Sequence, residues 1–351
     1  MAENRGKKPT AIDLFCGAGG LTLGLKQAGF KVLASVELEE IPHKSYLLNH
    51  PDVISYKRDI RKLGVAELRK QLNLKRGELD LLAGCPPCQG FSTLRTRKKA
   101  LSFNDDRNEL MFEFLRLVEG LLPKAVMMEN VPALAYDARM VVFLRRLSTL
   151  GYKVGRRTVQ IEDAADYGVP QRRRRMIMMA TRFGQVEAAQ KTVHATVRSC
   201  LTRAALAPVG SSGDPLHDHI PIRADNVQQI IESIPVDGGS RGSLPEHLVL
   251  KCHKDKKTGF RDVYGRMWWD RVAPTMTSGC DNPSKGRYLH PAENRAITLR
   301  EAALFQSFPA YYKFDLSKGR GRVALMIGNA LPPEFIRRHA LQIKSVLISQ
   351  E

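Results

Sequence analysis

The sequence is short of acidic side chains, of long apolar runs and of patterned cysteines. Its 351 residues contain 36 Asp and Glu against 55 Lys and Arg, which leaves a formal charge of +19. No stretch of 18 uninterrupted apolar residues is present, and the polar residues 1–9 lack the apolar segment of a signal peptide. We therefore expect neither a membrane span nor a secretory signal, and we expect a protein that stays in a reducing compartment.

The cysteines give no sign of a disulfide framework or of a metal site. The six of them are irregularly spaced, and Cys200, Cys252 and Cys280 stand singly, so no second pair with metal-binding spacing accompanies Cys85 and Cys88. Internal repeats and low-complexity segments are also absent, and 43% of the residues are hydrophobic, which excludes a disordered chain. The composition indicates a globular protein of a reducing compartment, with no bound metal.

The excess of positive charge favours a polyanionic partner. Nucleic acid is the simplest one, because each phosphate that a basic side chain neutralises releases counterions. Solubility alone is the alternative explanation of a charge of +19.

Apolar runs alternate with helical patterns through the first half of the chain. Such alternation predicts an α/β fold with a Rossmann-like, doubly wound and mostly parallel sheet, whose ligand sites lie at the carboxyl ends of the strands. From about residue 182 to 295 the pattern loosens and loop-forming segments appear, which predicts a smaller, irregular second domain. The predicted strands are residues 10–16, 31–36, 79–83, 125–128 and 176–180, and the predicted helices are residues 21–28, 109–122, 141–150, 298–308 and 332–348.

A glycine-rich turn follows the first predicted strand and opens a helix. Gly17 and Gly19 would let a ligand approach the backbone closely, but Thr22 stands where a dinucleotide-binding fingerprint needs its third glycine. The pattern therefore favours a cofactor without a pyrophosphate. Glu37, at the end of the second strand, is placed to bind a ribose diol, and Asp59 could hold an adenine amino group. A tight turn with surface carboxylates is the alternative.

Two further strand ends carry reactive side chains. Cys88 lies in the segment GCPPCQGFS, where Pro86 and Pro87 stiffen the loop, and we interpret it as a nucleophile in preference to half of a redox or zinc pair. Glu129 ends the strand at residues 125–128, where burial would raise its pKa and suit it to proton transfer near neutral pH.

A run of arginines precedes the strand at residues 176–180. In a β conformation Gln171, Arg173 and Arg175 would point to one face, while Arg172 and Arg174 would point to the other. Such a run could serve a site and a phosphate backbone at once, although a solvated or nucleic-acid-facing patch is the commoner case.

Six segments in order along the chain resemble the motifs of the cytosine-5 DNA methyltransferases, which use S-adenosylmethionine. These segments are DLFCGAGG (13–20), GCPPCQGFS (84–92), ENV (129–131), QRRRR (171–175), REAALFQSFP (300–309) and GNALPP (328–333). The resemblance implies a class I methyltransferase fold and spans the chain except about residues 183–270. It implies a catalytic domain at 1–182, a target-recognition domain at 183–294 and closing motifs at 295–351.

The resemblance also implies roles for individual residues. Cys88 would add to C6 of a cytosine flipped out of duplex DNA, Glu129 would act at N3 and the exocyclic amine, and Arg175, supported by Arg173, would hold O2. Gln89 and Asn130 complete the catalytic set. The implied cofactor-binding residues are Phe15, Gly17, Gly19, Glu37, Asp59, Ile60, Pro87, Leu110 and Asn329. The implied DNA-binding residues are Ser92, Arg95, Arg97, Lys98, Lys99, Gln171, Arg172, Arg174 and Thr275.

Base reading would belong to the second domain. Arg261, Arg266 and Trp268 or Trp269 are the candidates there, with core packing as the alternative for the two tryptophans. The resemblance leaves three other possibilities, which are a tRNA cytosine methyltransferase, an inactive nucleic-acid-binding relative and a redox or zinc protein. Because large regulatory extensions are lacking, we expect a prokaryotic or phage modification enzyme that works in the bacterial cytoplasm and belongs to a restriction or defence system. We expect it to be a monomer that acts on double-stranded DNA.

Overall fold

A computed structural model describes residues 8–87, 110–250 and 262–349. The described residues form two compact units, and the residues of each unit contact one another more than they contact the other unit. The first unit draws on Met1–Tyr167, Arg174–Lys191 and Leu331–Glu351, and the second on Gly168–Arg173 and Thr192–Ala330. The division at residues 182 and 294 into catalytic and target-recognition domains concerns function and stays a prediction.

The first unit is built around a mixed sheet. Within the described residues this sheet has seven strands in the order β3-β2-β1-β4-β5-β7-β6. All neighbouring pairs are parallel except β5 with β7 and β7 with β6. The strands are β1 (Thr10–Leu14), β2 (Lys31–Glu37), β3 (Ile54–Lys57), β4 (Leu81–Gly84), β5 (Ala125–Asn130), β6 (Val159–Asp163) and β7 (Arg174–Thr181). The predicted α/β, doubly wound and mostly parallel fold is confirmed.

The topology places a crevice at the carboxyl end of β1. Its two neighbours, β2 and β4, are reached by connections that run in opposite directions along the sheet, and such a switch point is where open α/β sheets bind ligands. The residues that follow β1, β2, β4 and β5 therefore belong to one edge of the sheet.

Helices cover the sheet because their apolar stripes need burial. In the fourth helix, Phe114, Leu117, Val118 and Leu121 recur at helical spacing and are buried in the main core. The helices of this unit are α1 (Gly20–Gln27), α2 (Glu40–Asn49), α3 (Val65–Gln71), α4 (Leu110–Leu121) and α5 (Ala138–Thr149), followed by the C-terminal helix Pro333–Ile348. No helix in the described ranges combines the length and the apolar character that a membrane crossing requires.

The C-terminal helix packs closely against α1. A Cβ on Gly24 would lie 2.5 Å from the Pro333 carbonyl oxygen and 2.7 Å from Ile336 Cβ, so only glycine allows this approach. At the other end of α1, Gly29 has φ +89°, the left-handed conformation expected directly after a helix. The first helix and the last one thus form one layer.

The second unit has short helices joined by long irregular segments. Its helices are α6 (Val197–Ala204), α7 (Asp225–Ser233), α8 (Leu299–Phe305) and α9 (Arg320–Asn329), so that the C-terminal helix of the first unit is α10. Capping boxes begin α6 at Thr196 and α8 at Thr298, where each threonine accepts from the backbone of the third helical residue. The predicted helix at residues 298–308 ends earlier, because Ser307 adopts φ +64°.

Candidate active site

The turn after β1 adopts a backbone that favours glycine. Phe15, Gly17 and Gly19 have φ of +62°, +54° and +97°. A Cβ on Gly17 would meet no atom within 4 Å, which leaves open space beside this backbone. Gly19 N donates to Cys16 O at 2.9 Å and closes the turn just before α1. The turn therefore offers a ligand close access to the main chain.

Glu37 anchors this turn from the end of β2. Its Oε2 accepts from Gly17 N at 2.9 Å, and its Oε1 accepts from Glu39 N at 2.7 Å. Burial raises the pKa of Glu37, although the backbone hydrogen bonds oppose this effect. A carboxylate with two oxygens keeps acceptor sites beyond these two bonds.

Thr22, which breaks the dinucleotide fingerprint, belongs to a buried polar network. Its Oγ1 donates to Asp13 Oδ2 at 2.7 Å and lies 3.0 Å from the Tyr46 hydroxyl oxygen. Asp13 is fully buried within β1, and desolvation raises its pKa to about 7. A glycine at position 22 would leave the Asp13 carboxyl without this donor. No local pattern in the sequence indicates this network, because its members come from β1, α1 and α2.

The other predicted cofactor residues lie at several places. Asp59 caps a short 3-10 helix, and its carboxylate is shared with the Arg61 guanidinium, which lowers the Asp59 pKa. Ile60 is buried in the main core, and Leu110 packs against that core from the first turn of α4. Asn329 is exposed at the last residue of α9.

Glu129 is held on both oxygens at the end of β5. The side chain is 2% exposed, and the Cys85 thiol donates to Oε2 at a distance of 3.0 Å. Arg175 Nε lies 3.0 Å from Oε1 as an ion pair. Arg175 reaches this point because β7 runs antiparallel to β5, so that the start of one strand meets the end of the other. Strand β5 extends through Asn130, two residues beyond the predicted end.

The loop after β4 is tied to β5. Asn130 Nδ2 donates to Pro86 O at 2.8 Å, and Cys85 N donates to Leu14 O at 3.3 Å. Pro86 is buried and Pro87 is exposed. Seven predicted site residues that follow lie outside the described residues: Cys88, Gln89, Ser92, Arg95, Arg97, Lys98 and Lys99.

The arginine run alternates in burial as predicted. Gln171 and Arg173 are buried, Arg172 and Arg174 are exposed, and Arg175 is half-buried.

Gln171 and Arg173 bind other segments of their own unit. The Gln171 amide donates to Phe305 O at 2.9 Å and accepts from Met276 N at 2.9 Å. The Arg173 guanidinium donates to Met276 O at 3.1 Å and to Gly328 O at 2.9 Å. These bonds favour a structural position for Gln171 over the direct DNA contact that the sequence suggested, because its side chain is fully buried.

The comparison with protein families decides among the alternatives. The family model of C-5 cytosine-specific DNA methylases matches residues 10–345. The chain belongs to this family. It is therefore a DNA (cytosine-5)-methyltransferase, as the six motifs predicted, and the redox or zinc interpretation of Cys85 and Cys88 is set aside.

Relatives of this methylase are similar along nearly their whole length. The Type II methylase M.HgiDII of Herpetosiphon aurantiacus is 36% identical, over 96% of this chain and 95% of the relative. The Type II methyltransferase M.XorII of Xanthomonas oryzae pv. oryzae is 30% identical, over 97% and 85%. An E. coli prophage protein described as a DNA modification methyltransferase is 22% identical and has a TM-score of 0.75, covering 97% of this chain and 100% of that one, which shows a shared fold.

One candidate for DNA reading in the methylase is wrong. Arg266 is fully buried, and its guanidinium donates to a ring of acceptors: Ile231 O, Ile234 O, His290 O, Glu293 O and Asn294 Oδ1. Such a side chain organises the unit and has no surface to offer DNA. Arg261 lies outside the described residues.

The two tryptophans are stacked against arginines. Arg271 and Arg287 lie 4.4 and 4.1 Å from the Trp268 ring centre, and Arg198 lies 5.2 Å from the Trp269 ring centre. Their rings are only partly buried, so neither tryptophan is simple core. The predicted contact residue Thr275 donates from Oγ1 to Arg172 O at 2.5 Å.

Proposed function

We propose that the methylase flips a cytosine out of double-stranded DNA and uses Cys88 as the nucleophile that activates it. The observation that carries this proposal is the Glu129 carboxylate, buried at the end of β5 between Arg175 and Cys85. A buried acid with a fixed cationic partner suits a reaction that must stabilise charge on a pyrimidine ring. The target atom is inaccessible within a duplex, so the base has to leave the stack.

The chemistry requires a covalent step because C5 of cytosine is a poor nucleophile. Addition of the Cys88 thiolate to C6 makes the ring enamine-like, with electron density at C5. After C5 gains the methyl group, a base or water removes the C5 proton, the C5–C6 double bond reforms and the Cys88 thiolate leaves. These steps restore the free enzyme.

Glu129 and Arg175 act on the polar edge of the base in this proposal. Glu129 donates a proton or a hydrogen bond to N3 and accepts from the exocyclic amine, which draws electrons from C6. Arg175 holds O2 while the Glu129 ion pair fixes its guanidinium. Gln89, which lies outside the described residues, completes the proposed catalytic set, and Asn130 holds the segment before Cys88 through the Pro86 carbonyl.

Arg173 acts at one remove from the base. Its two hydrogen bonds, to Met276 O and Gly328 O, join the segments that contain Thr275 and Asn329. We assign Arg173 and Gln171 as positioning residues for this reason. The family resemblance supports a functional role for residues 171–175, and the hydrogen bonds support the assignment of Gln171 and Arg173 as positioning residues.

The residues after β1 and β2 fit S-adenosylmethionine, the methyl donor of the family. The open space beside Gly17 admits a ligand to the main chain, and the Glu37 carboxylate has acceptor sites left for a ribose diol. The bound cofactor supplies an electrophilic methyl group, and S-adenosylhomocysteine is the product. The proposed binding residues are Phe15, Gly17, Gly19, Glu37, Asp59, Ile60, Pro87, Leu110 and Asn329, with no metal.

Basic residues bind the DNA backbone in this proposal. Arg172 and Arg174 are exposed, and the other proposed contacts are Ser92, Arg95, Arg97, Lys98 and Lys99, which lie outside the described residues. The Type II relatives support a cognate restriction or defence system in a bacterial cytoplasm. We propose that the enzyme acts as a monomer.

Sequencing of DNA from cells that express the gene tests the proposal. Bisulfite or nanopore reads should show 5-methylcytosine at one short recognition sequence, and Cys88→Ala should abolish it. Transfer of labelled methyl to duplex DNA, but not to tRNA, is expected from the purified protein. Full activity of Cys88→Ala would contradict the nucleophile assignment.

A further inference from the structure

The Cys85 side chain has a defined direction, because the backbone on either side of it is fixed. Cys85 N donates to Leu14 O at 3.3 Å, which joins it to β1, and the next residue, Pro86, accepts from Asn130 at 2.8 Å. Before it, Gly84 lies so close to β1 that a Cβ would come within 2.6 Å of Leu14 O. These contacts leave the segment little freedom to turn the thiol elsewhere.

The thiol meets the acid of the proposed mechanism. Cys85 Sγ lies 3.0 Å from Glu129 Oε2, on the opposite oxygen from Arg175. Glu129 is 2% exposed, so water has almost no access to the carboxylate. Both contacts therefore constrain how this side chain is oriented.

We propose that Cys85 is a positioning residue for Glu129. The hydrogen bond from the Cys85 thiol fixes the plane of the Glu129 carboxylate and stabilises the ionised form of that carboxylate. The inference rests on the proposed role of Glu129 at N3 of the cytosine. A thiol is a weak donor, so it orients the Glu129 oxygen and still allows the carboxyl to gain and lose a proton. It differs from the CxxC pairing of the sequence pattern, because the Cys85 partner is a carboxylate on the next strand.

Polar and charged groups from neighbouring elements surround Glu129. Cys85 faces it from the loop after β4, and Arg175 faces it from β7. Glu162 in β6 lies opposite Arg175 in the strand register. A hydrogen bond to the ionised form lowers the pKa of a carboxyl, so loss of the thiol should raise the pKa of Glu129.

The test is the pH profile of methyl transfer under single-turnover conditions, with saturating S-adenosylmethionine and duplex DNA. Glu129→Gln first identifies the limb on which the wild-type rate falls as pH rises. In Cys85→Ala this limb should move up by about one pH unit, since hydrogen bonds to charged groups change pKa values by roughly this amount or more. The rate at the optimum should fall about tenfold, with the KM for DNA changed less than about twofold.

Two controls separate this role from general damage. Cys85→Ser keeps a hydroxyl donor and should restore the limb to within about 0.3 pH units of the wild type. Cys200→Ala removes another partly exposed cysteine, from α6 in the second unit, and should leave the profile unchanged. Thermal melting of each variant verifies that it is folded at the assay temperature.

Two results would overturn the inference: a Cys85→Ala profile that coincides with the wild type, or an equal Cys85→Ala effect in the Glu129→Gln background. In that background the thiol has no carboxylate to hold, so its removal should cost little. Failure of the mechanism itself would look different, since Glu129→Gln would then keep the wild-type rate.

Discussion

Asn130 Nδ2 donates to the Pro86 carbonyl oxygen at 2.8 Å, and both residues are buried. The bond joins the strand that carries Glu129 to the loop that leads to Cys88. Because the two residues are 44 positions apart, the bond forms only when β4 and β5 pair. The acid and the segment before the nucleophile are thus fixed to each other by one side-chain amide.

Replacing this amide should reduce both methyl transfer and stability. For Asn130→Ala we expect the single-turnover rate to fall roughly 10- to 100-fold, because a small misplacement of reacting groups has an effect of this size. The unpaired Pro86 carbonyl should lower the free energy of unfolding by about 1–3 kcal/mol. Asn49→Ala is the control, since it removes a side-chain amide that donates a hydrogen bond of 2.7 Å to Ser45 O within α2. A wild-type rate in Asn130→Ala would show that the loop is held by other contacts.

Gly24 should be irreplaceable where α1 meets α10. In Gly24→Ala the new methyl group would lie 2.5 Å from Pro333 O, so the helices must separate. We expect a loss of about 1–3 kcal/mol in the free energy of unfolding, despite the better helix propensity of alanine. Gly321→Ala in α9 is the matched control, because its Cβ would meet nothing within 4 Å. Chemical denaturation of both variants makes the comparison, and equal midpoints would contradict the close packing.

The sequence predicts the centre of the sheet and misses its edges. Strands β1, β4 and β5 are mostly apolar because both of their faces are buried. The missed strands β3 and β6 lie at the two ends of the sheet, where half-exposed residues such as Tyr56 and Gln160 break the apolar signal. An edge strand is therefore identified by its pairing with the neighbouring strand more than by its own amino-acid composition.

Local patterns likewise locate Glu129 but not its neighbours. A strand end places the carboxyl at the ligand edge of the sheet, which the sequence predicts. The Cys85 contact depends on the pairing of β4 with β5, and the buried position of Arg266 depends on carbonyl groups from separate loops. No local spacing encodes either arrangement, so Arg266 looked like one more basic residue of a DNA-binding protein.

Asp13 should make the stability of the protein depend on pH. Its pKa is raised from 3.8 to about 7 by burial, so the folded state binds a proton that the unfolded state has released across this range. The stability that Asp13 contributes is present below pH 3.8 and is lost as pH rises through about 7. The loss amounts to a few kcal/mol, because each tenfold difference in proton affinity between the two states corresponds to about 1.4 kcal/mol.

The Asp13→Asn variant isolates this contribution. Asparagine cannot ionise but still offers an oxygen to Thr22, so the variant should gain stability relative to the wild type between about pH 4 and pH 7. In this range the carboxyl of the unfolded chain has released its proton and the buried carboxyl has not. Urea denaturation at the two pH values gives the comparison. Asp52→Asn changes an exposed carboxyl that is paired with Lys26, and this variant should lose stability with rising pH as the wild type does. A constant difference between Asp13→Asn and the wild type would contradict the raised pKa.

Arg271 should bind a DNA phosphate, in contrast to Arg266. Arg271 lines a pocket of about 320 Å³ in the second unit together with Arg172 and His194, while the acidic Asp270 of that pocket is paired with Arg198 at 2.7 Å. Exposed arginines that converge on a pocket suit a phosphate group.

For Arg271→Ala we expect the KM for DNA to rise about 3- to 10-fold. The slope of log affinity against log salt should become shallower by about one, because one phosphate contact releases about one counterion. Arg145→Ala removes the same charge from the exposed face of α5 and should leave the slope unchanged. Arg266→Ala should instead lower the melting temperature, since it leaves several buried carbonyl groups without a donor. An unchanged salt slope in Arg271→Ala would place the phosphate contacts on other residues.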